Sequence, residues 1–398
     1  MSIYDKATLV QIPSGYKASG AKLYSVLPAN GDGDFTVSAD ADATRVNSDG
    51  LIESTAANQA RLNYDFTNPQ DPHLLLEPSR TNQITKSRDF EGWQDLSGSE
   101  TVTNNDATAP NGANTAATIE KTGSDNTTLR FYTTYTNFST VRSASIYIKK
   151  LSGSPTVSFG ITDTQDSITP TDEWVRYTKN NVTPSDFGVN IFVDIEVSGV
   201  SGDKIAVWGA QLEEGTYSTS LIPTSGSLVT RTADSCEIAS GLENLIGQTE
   251  GTLFIDFEYL YETTTDSSTD ALRDIFVMGT TSDISEGITF DNYRSQFRIF
   301  VQGSGMTTQS IGSGSTGTAQ PNTRYKLAVK YKTGDCKAYL NGSLLGSGTG
   351  TVSFAADLDG IFFSYNDSSR LFKNQKKVYQ LMVFNEALSD SELQTLTS

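Results

Sequence analysis

The residues of this chain best placed to do chemistry stand in one short stretch, Gly251-Thr252-Leu253-Phe254-Ile255-Asp256-Phe257-Glu258. Leu253, Ile255 and Phe257 alternate with Phe254, Asp256 and Glu258, so an extended backbone puts both carboxylates on one face. Paired carboxylates are the equipment of glycoside hydrolysis, one as nucleophile or base and the other as acid. Catalysis through a histidine base has less to work with, because His73 is the only histidine. A second set of residues is suited to recognition. Asp291, Asn292, Tyr293 and Arg294, and then Tyr365, Asn366, Asp367 and Arg370, each follow a strand-like segment. Both sets combine a ring for stacking with planar carboxylate, amide and guanidinium groups that pair with vicinal hydroxyls, so they are expected to be loops of a weak carbohydrate site. Solvated turns have the same composition, and that reading stands beside it.

Trp93, Trp174 and Trp208 are further candidates for sugar stacking. Trp208 lies in an apolar stretch and Trp174 beside aromatic residues, which favours core packing for both, whereas Trp93 lies in the polar segment Glu91 to Ser97. Asp32 and Asp34 form an acidic turn without the ligand spacing of a helix-loop-helix calcium site. Cys236 and Cys336 are read as two buried thiols, with a disulfide as the alternative; a structural zinc site needs four ligands.

The elements that must position these groups are strands. A chain of 398 residues has room for two or three domains. Its hydrophobic content of 36% is low, and Gly, Ser, Thr, Asn and Asp are abundant, as many short strands and turns require. Aromatic residues, 10% of the chain, recur along its length and supply anchors that a disordered chain lacks. With 47 acidic and 29 basic residues the net charge is −18, which repels phosphate backbones and anionic bilayers, so no nucleic acid partner is expected. No membrane insertion is expected either, because runs such as Leu381 to Phe384 are too short to span a bilayer, and no basic start with an apolar core marks a secretory leader.

Alternation and turns place the strands. Ala144, Ile146 and Ile148 alternate with Ser143, Ser145 and Tyr147, predicting one buried and one wet face. Farther on, Ile205, Val207, Gly209 and Gln211 are expected on one face, with Ala206, Trp208, Ala210 and Leu212 on the other. This closing strand is broken by Pro223 and the Thr224 to Ser227 run. Asp49-Gly50 and Asn341-Gly342 predict hairpins. Ser389 and Glu392 form a capping box that starts one short helix, with Leu393 and Leu396 docking on the sheet. The expected fold is all-β, with tandem antiparallel sandwiches over 87–232 and 233–398. Residues 1–86, poor in apolar segments, are expected to form a small β-rich module for attachment and oligomerisation.

Trp208-Gly209-Ala210-Gln211-Leu212-Glu213, followed by Thr219-Ser220-Leu221-Ile222-Pro223-Thr224, resembles the last strand and exit of carbohydrate-binding-module-like jelly rolls in phage tail and fibre proteins. Ala43 to Glu53 and Leu74 to Asn82 resemble the lead-in that precedes such modules. The resemblance implies a jelly roll, a tail or head fibre of the virion surface, other virion proteins as partners, and homo-oligomers with the trimer favoured. Tyr325 to Lys330, Ala338 to Gly342, and Val378 to Phe384 running into Asn385 to Leu393 resemble the laminin-G or concanavalin-A-like sandwich. That likeness implies lectin-like recognition of host-surface glycan, requires no cofactor, and admits calcium at Asp291 or Asp367. Glucanases share this fold and carry two glutamates and an aspartate alternating on one strand; here Phe254 stands in the place of the first glutamate. The expectation is a non-enzymatic virion structural protein, a fibre or decoration subunit that contributes to glycan adhesion. The alternatives are decoration without glycan binding, or a glycan-active hydrolase.

Overall fold

The structure is a computed structural model that describes residues 2–12, 18–19, 22–41, 43–66, 72–134, 140–184, 190–260, 272–280, 285–293, 296–312, 320–363 and 374–398. The fold is all-β: antiparallel pairs build the sheets, and the only α-helix among the described residues is Asp390–Thr397. No helix among these residues is long and apolar enough to cross a membrane. The chain divides into two compact units, one of residues 1–41, 56–78 and 233–398, the other of 42–55 and 79–232.

The first 86 residues are therefore shared between the units and do not form a module of their own. Leu9–Gln11 and His73–Leu76 both pair with Gln375–Phe384, and Phe35–Ser38 pairs with Ser235–Ile238, all within the first unit. The hairpin of Thr44–Val46 and Ile52–Ser54, with Asp49-Gly50 at its turn, belongs to the second, as does Arg80–Asn82. Strands this short bury too little apolar surface to stand alone, but their backbone donors and acceptors complete the ladders of larger sheets.

In the first unit an eight-stranded and a nine-stranded sheet enclose one core. Leu253, Ile255 and Phe257 of Glu250–Leu260 point into it as their alternation predicts, and Phe257 meets Phe290 edge-on at 5.4 Å. Cys236 and Cys336 are buried there as free thiols, and burial pushes both pKa values up, away from the reactive thiolate. The Asn341-Gly342 turn has φ of 47° and 78°, the left-handed pair a tight hairpin needs.

The opposite face of the eight-stranded sheet carries a smaller apolar cluster, in which Phe254, Met382, Phe384 and Leu388 pack with Leu393 of the C-terminal helix. The capping box forms as expected: the Ser389 amide donates to Glu392 at 2.8 Å, and the Glu392 amide donates to Ser389 Oγ at 3.4 Å. Lys6 Nζ adds a bond to Glu392 at 2.7 Å. Hydrogen bonds from Lys6, then from Ser389, lower the Glu392 pKa from 4.5 to about 2. A depressed carboxylate pKa contributes stability in full above the unfolded value, and the contribution is lost as pH falls through the folded one. Glu392→Gln should therefore melt below wild type at pH 6, and the two melting temperatures should converge as pH falls from 4.5 toward 2. Melting curves offset equally at every pH would remove this carboxylate from the balance.

The second unit is a sandwich of two five-stranded sheets. Ile119, Ile146, Ile148, Phe159, Val193, Ile195 and Val207 fill the space between them. Lys204–Glu214 departs from its expected pattern in the middle. At Gly209 φ is +66° and the register against Arg142–Ser152 shifts, so one residue is added and the inward set changes parity. Ile205 and Val207 face the core before the bulge, and Ala210 and Leu212 face it afterwards. Gln211 and Glu213 turn the other way, onto the exit segment. A Cβ at Gly209 would lie 3.2 Å from Leu221 and 3.3 Å from Tyr147.

That exit segment also covers the face of Ser143, Ser145 and Tyr147, which is buried and not wet. Ser143 Oγ donates to the Gly215 carbonyl at 2.9 Å, and Ser218 Oγ donates to that of Ala144 at 3.3 Å. Trp208 stacks edge-on against Tyr147 at 5.7 Å, and Trp93 packs on Phe90 and Phe131, so both serve the core. Trp174 is only partly buried and precedes the strand Val175–Val182, a departure from the expected core packing.

Candidate functional site

Asp256 and Glu258 do share a face, but each is committed to cations on neighbouring strands. Arg324 forks onto Asp256 at 2.7 and 2.9 Å and lies 3.7 Å over the Tyr379 ring. Lys377 Nζ sits 2.7 Å from Glu258, and the Tyr379 hydroxyl donates to the same carboxylate at 3.4 Å. The register explains this, since Glu258 stands opposite Arg324 on one side and Lys377 on the other. Phe254, 2% exposed, belongs to the apolar cluster under the helix.

Asp291 and Asn292 are not on a loop. Both lie within the strand Gly287–Tyr293, at 1% and 0% exposure. Arg298 forks onto Asp291 with two bonds of 2.7 Å, and Asn292 Nδ2 donates to the Tyr259 hydroxyl at 2.8 Å. Buried partners for these polar side chains let the strand run on where their composition predicts a turn. Tyr293 ends the strand; its side chain, Arg294, Tyr365, Asn366, Asp367 and Arg370 lie outside the described residues. No group of three or more His, Cys, Asp or Glu suited to a metal occurs among the described residues. Asp34 instead accepts the Ser25 amide at 2.9 Å, and Asp32 accepts the Asn30 side chain at 2.7 Å.

The second unit offers a different surface. Its sheet runs Gln94–Asp95, Thr127–Thr134, Asn190–Ser198, Thr156–Ile161, Thr164–Ile168. Leu129, Ile191, Val193, Ile195, Phe159 and Ile161 point into the core, which turns Arg130, Tyr132, Phe192, Asp194 and Gln165 outward. Register then aligns Arg130, Asp194, Gly160 and Gln165 in one row across four strands, with Tyr132 opposite Phe192 beside it. Arg130 forks onto Asp194 with two bonds of 2.6 Å, and Gln165 Nε2 donates to the same carboxylate at 3.1 Å.

The guanidinium of Arg130 also lies 3.6 Å over the Phe192 ring, and Tyr132 meets that ring edge-on at 6.0 Å. The Asp194 hydrogen bonds raise the Arg130 pKa further, so the charge is permanent. Tyr132 remains 40% exposed. At Gly160 a Cβ would come within 2.1 Å of the Thr164 carbonyl, so the backbone of the neighbouring strand fills the place of a side chain there. The result is a face on which the Tyr132 ring and the Gln165 amide are exposed and the Arg130 guanidinium is partly so, while Phe192 and the Asp194 carboxylate are buried and hold them in place. This composition supports stacking and hydrogen bonding, and it holds no nucleophile with an adjacent base.

Nothing local in the sequence marks Arg130 and Tyr132 as a site. The alternation Arg130, Tyr132 and Phe192, Asp194 is visible there, but the two strands are 64 residues apart in the Arg130 to Asp194 pair, and only the sheet order makes them neighbours.

No protein-family model matches the chain, and no curated protein matches it. Among solved structures it is similar to the binding domain of botulinum neurotoxin DC in complex with SialylT, at 12% identity and a TM-score of 0.32 over 41% of this chain and 39% of that one. The botulinum neurotoxin serotype D binding domain gives 14% identity and a TM-score of 0.31 over the same shares. The chain thus spans well under half the length of these structures, and likeness of this degree transfers neither fold nor ligand.

Proposed function

We propose that this protein is a non-enzymatic glycan-binding adhesin, and that the outward face of Arg130, Tyr132, Gln165, Phe192 and Asp194 is where the second unit holds sugar. The observation that carries this is the single row in which Arg130, Asp194 and Gln165 are locked together beside an exposed ring. Such a face needs little rearrangement to pair with vicinal hydroxyls, because its polar groups are already fixed by one another. The commitment of Asp256 and Glu258 to Arg324 and Lys377, with Phe254 in place of an acid, supports the absence of catalysis. The motifs of Leu74 to Asn82 and Trp208 to Thr224 support the further reading that the protein is a fibre or decoration subunit at a phage surface. Self-assembly, as a trimer, and other virion proteins as partners belong to that reading.

A glycan array followed by titration of the intact protein tests it. Tyr132→Ala and Gln165→Ala remove exposed groups, so each should leave the melting temperature unchanged while weakening the best glycan about tenfold, or ~1.4 kcal/mol. Reducing-sugar assays on the same glycan should show no turnover. Binding that both substitutions leave intact would move the site elsewhere, and an array without any binder would leave decoration alone as the function.

A further inference from the structure

We infer that the first unit carries a carbohydrate site of its own, a groove on the outer face of its eight-stranded sheet that takes a single neutral pyranose. This site stands independently of the face on the second unit. The groove has a volume of about 400 Å³, within the range of about 300–1,000 Å³ usual for small-molecule sites. Three adjacent strands supply its floor: Phe254 and Asp256 from Glu250–Leu260, Arg324 and Lys326 from Thr323–Lys332, and Gln380 from Gln375–Phe384. Tyr4, in the 3-10 turn Ile3–Lys6, forms the rim and is 51% exposed.

Two of these groups have hydrogen-bonding capacity left over among the described residues. Gln380 donates only to the Met382 sulfur, at 3.2 Å, and a thioether is a weak acceptor. The Tyr4 hydroxyl makes no hydrogen bond there, and its ring stands beside the groove as a stacking surface. The charges point to a neutral ligand. Arg324 and Asp256 cancel as a forked ion pair, and the Lys326 ammonium is turned onto the Ser398 carbonyl, so neither cation is left as a dedicated partner for an anion. An amide, a phenol and the edge of a neutral ion pair match the donor and acceptor pattern of vicinal hydroxyls.

The test uses the intact chain carrying Tyr132→Ala and Gln165→Ala, which silences the other face. Methyl glucopyranoside, methyl mannopyranoside and methyl galactopyranoside are titrated by saturation-transfer NMR, with methyl glucuronoside as the anionic comparison. At least one neutral hexoside should bind saturably at millimolar concentration. Adding Gln380→Ala or Tyr4→Ala should weaken it about tenfold without moving the melting temperature. Absence of saturable binding by all three hexosides overturns the site, and so does binding that survives both substitutions. Tighter binding of the glucuronoside overturns the neutral assignment. Because the other face is already removed, a failure here leaves the function proposed for the second unit untouched, and a success does not depend on it.

Discussion

Replacing Arg61 by methionine should lower the stability of the protein by about 3–5 kcal/mol, read as a fall in the midpoint of chemical denaturation. Arg61 and Glu77 have fully buried side chains, and that of Asp234 is 2% exposed. The guanidinium donates to Glu77 at 2.6 Å and also to Asp234, whose carboxylate accepts the Glu77 amide at 2.7 Å. Gln375 Nε2 donates to the other oxygen of Glu77 at 3.1 Å. Burial by itself would lower the Arg61 pKa; the charges of Asp234 and Glu77 outweigh it and raise the value. Methionine fills similar space but takes the guanidinium away from two carboxylates held out of water, and removing one partner is what makes breaking such a cluster costly. Neutralising the whole cluster, with Glu77→Gln and Asp234→Asn added, should restore most of the loss. If Arg61→Met alone costs less than about 1 kcal/mol, the three groups are not acting as a charge cluster.

Glu213→Ala should cost about 3 kcal/mol in the second unit. Its buried carboxylate accepts the Thr219 amide at 2.9 Å, the Thr219 hydroxyl at 2.5 Å and Gln211 Nε2 at 2.7 Å. Alanine takes the acceptor from the buried Thr219 amide and hydroxyl, each worth roughly 1–3 kcal/mol, and leaves Gln211 Nε2 with only the longer bonds to the Thr219 and Ser220 carbonyls, while local water entry recovers part of the sum. Gln211 holds the same segment by accepting the Ile222 amide at 2.6 Å, while Asn82 donates to the Ile222 carbonyl at 2.9 Å. The exit segment should therefore loosen as a whole. All three tryptophans lie in this unit, so their fluorescence reports its unfolding directly. Glu213→Gln keeps an acceptor oxygen and should cost clearly less. Equal midpoints for wild type and Glu213→Ala would show that the segment is held by packing alone.

These two clusters also explain the motifs that carry the resemblance to phage jelly rolls. Asn82, Gln211, Glu213 and Thr219 bind one another and the backbone of the exit, so the pattern is a device for closing the sandwich. Glu77 sits in the lead-in motif for a comparable reason, as one partner of the buried Arg61.

Local features of the chain were legible in its sequence. The Asp49-Gly50 and Asn341-Gly342 turns, the Ser389 and Glu392 box, and the inward alternation of Leu253, Ile255 and Phe257 all formed as read. Each depends on a residue's own backbone preference or on neighbours within four positions, and those are written in the sequence directly. The Arg130 row and the buried ions were decided by tertiary structure. Asp194 lies 64 residues from Arg130, and Asp234 lies 173 from Arg61. Asp291 became a strand residue because Arg298, on the neighbouring strand, met its charge. The parity change at Gly209 sent Gln211 and Glu213 away from the face that simple alternation assigns. The order of strands in a sheet and a single inserted residue determine which side chains meet. Neither leaves a local signal, because the energy that selects them comes from burial shared among distant segments.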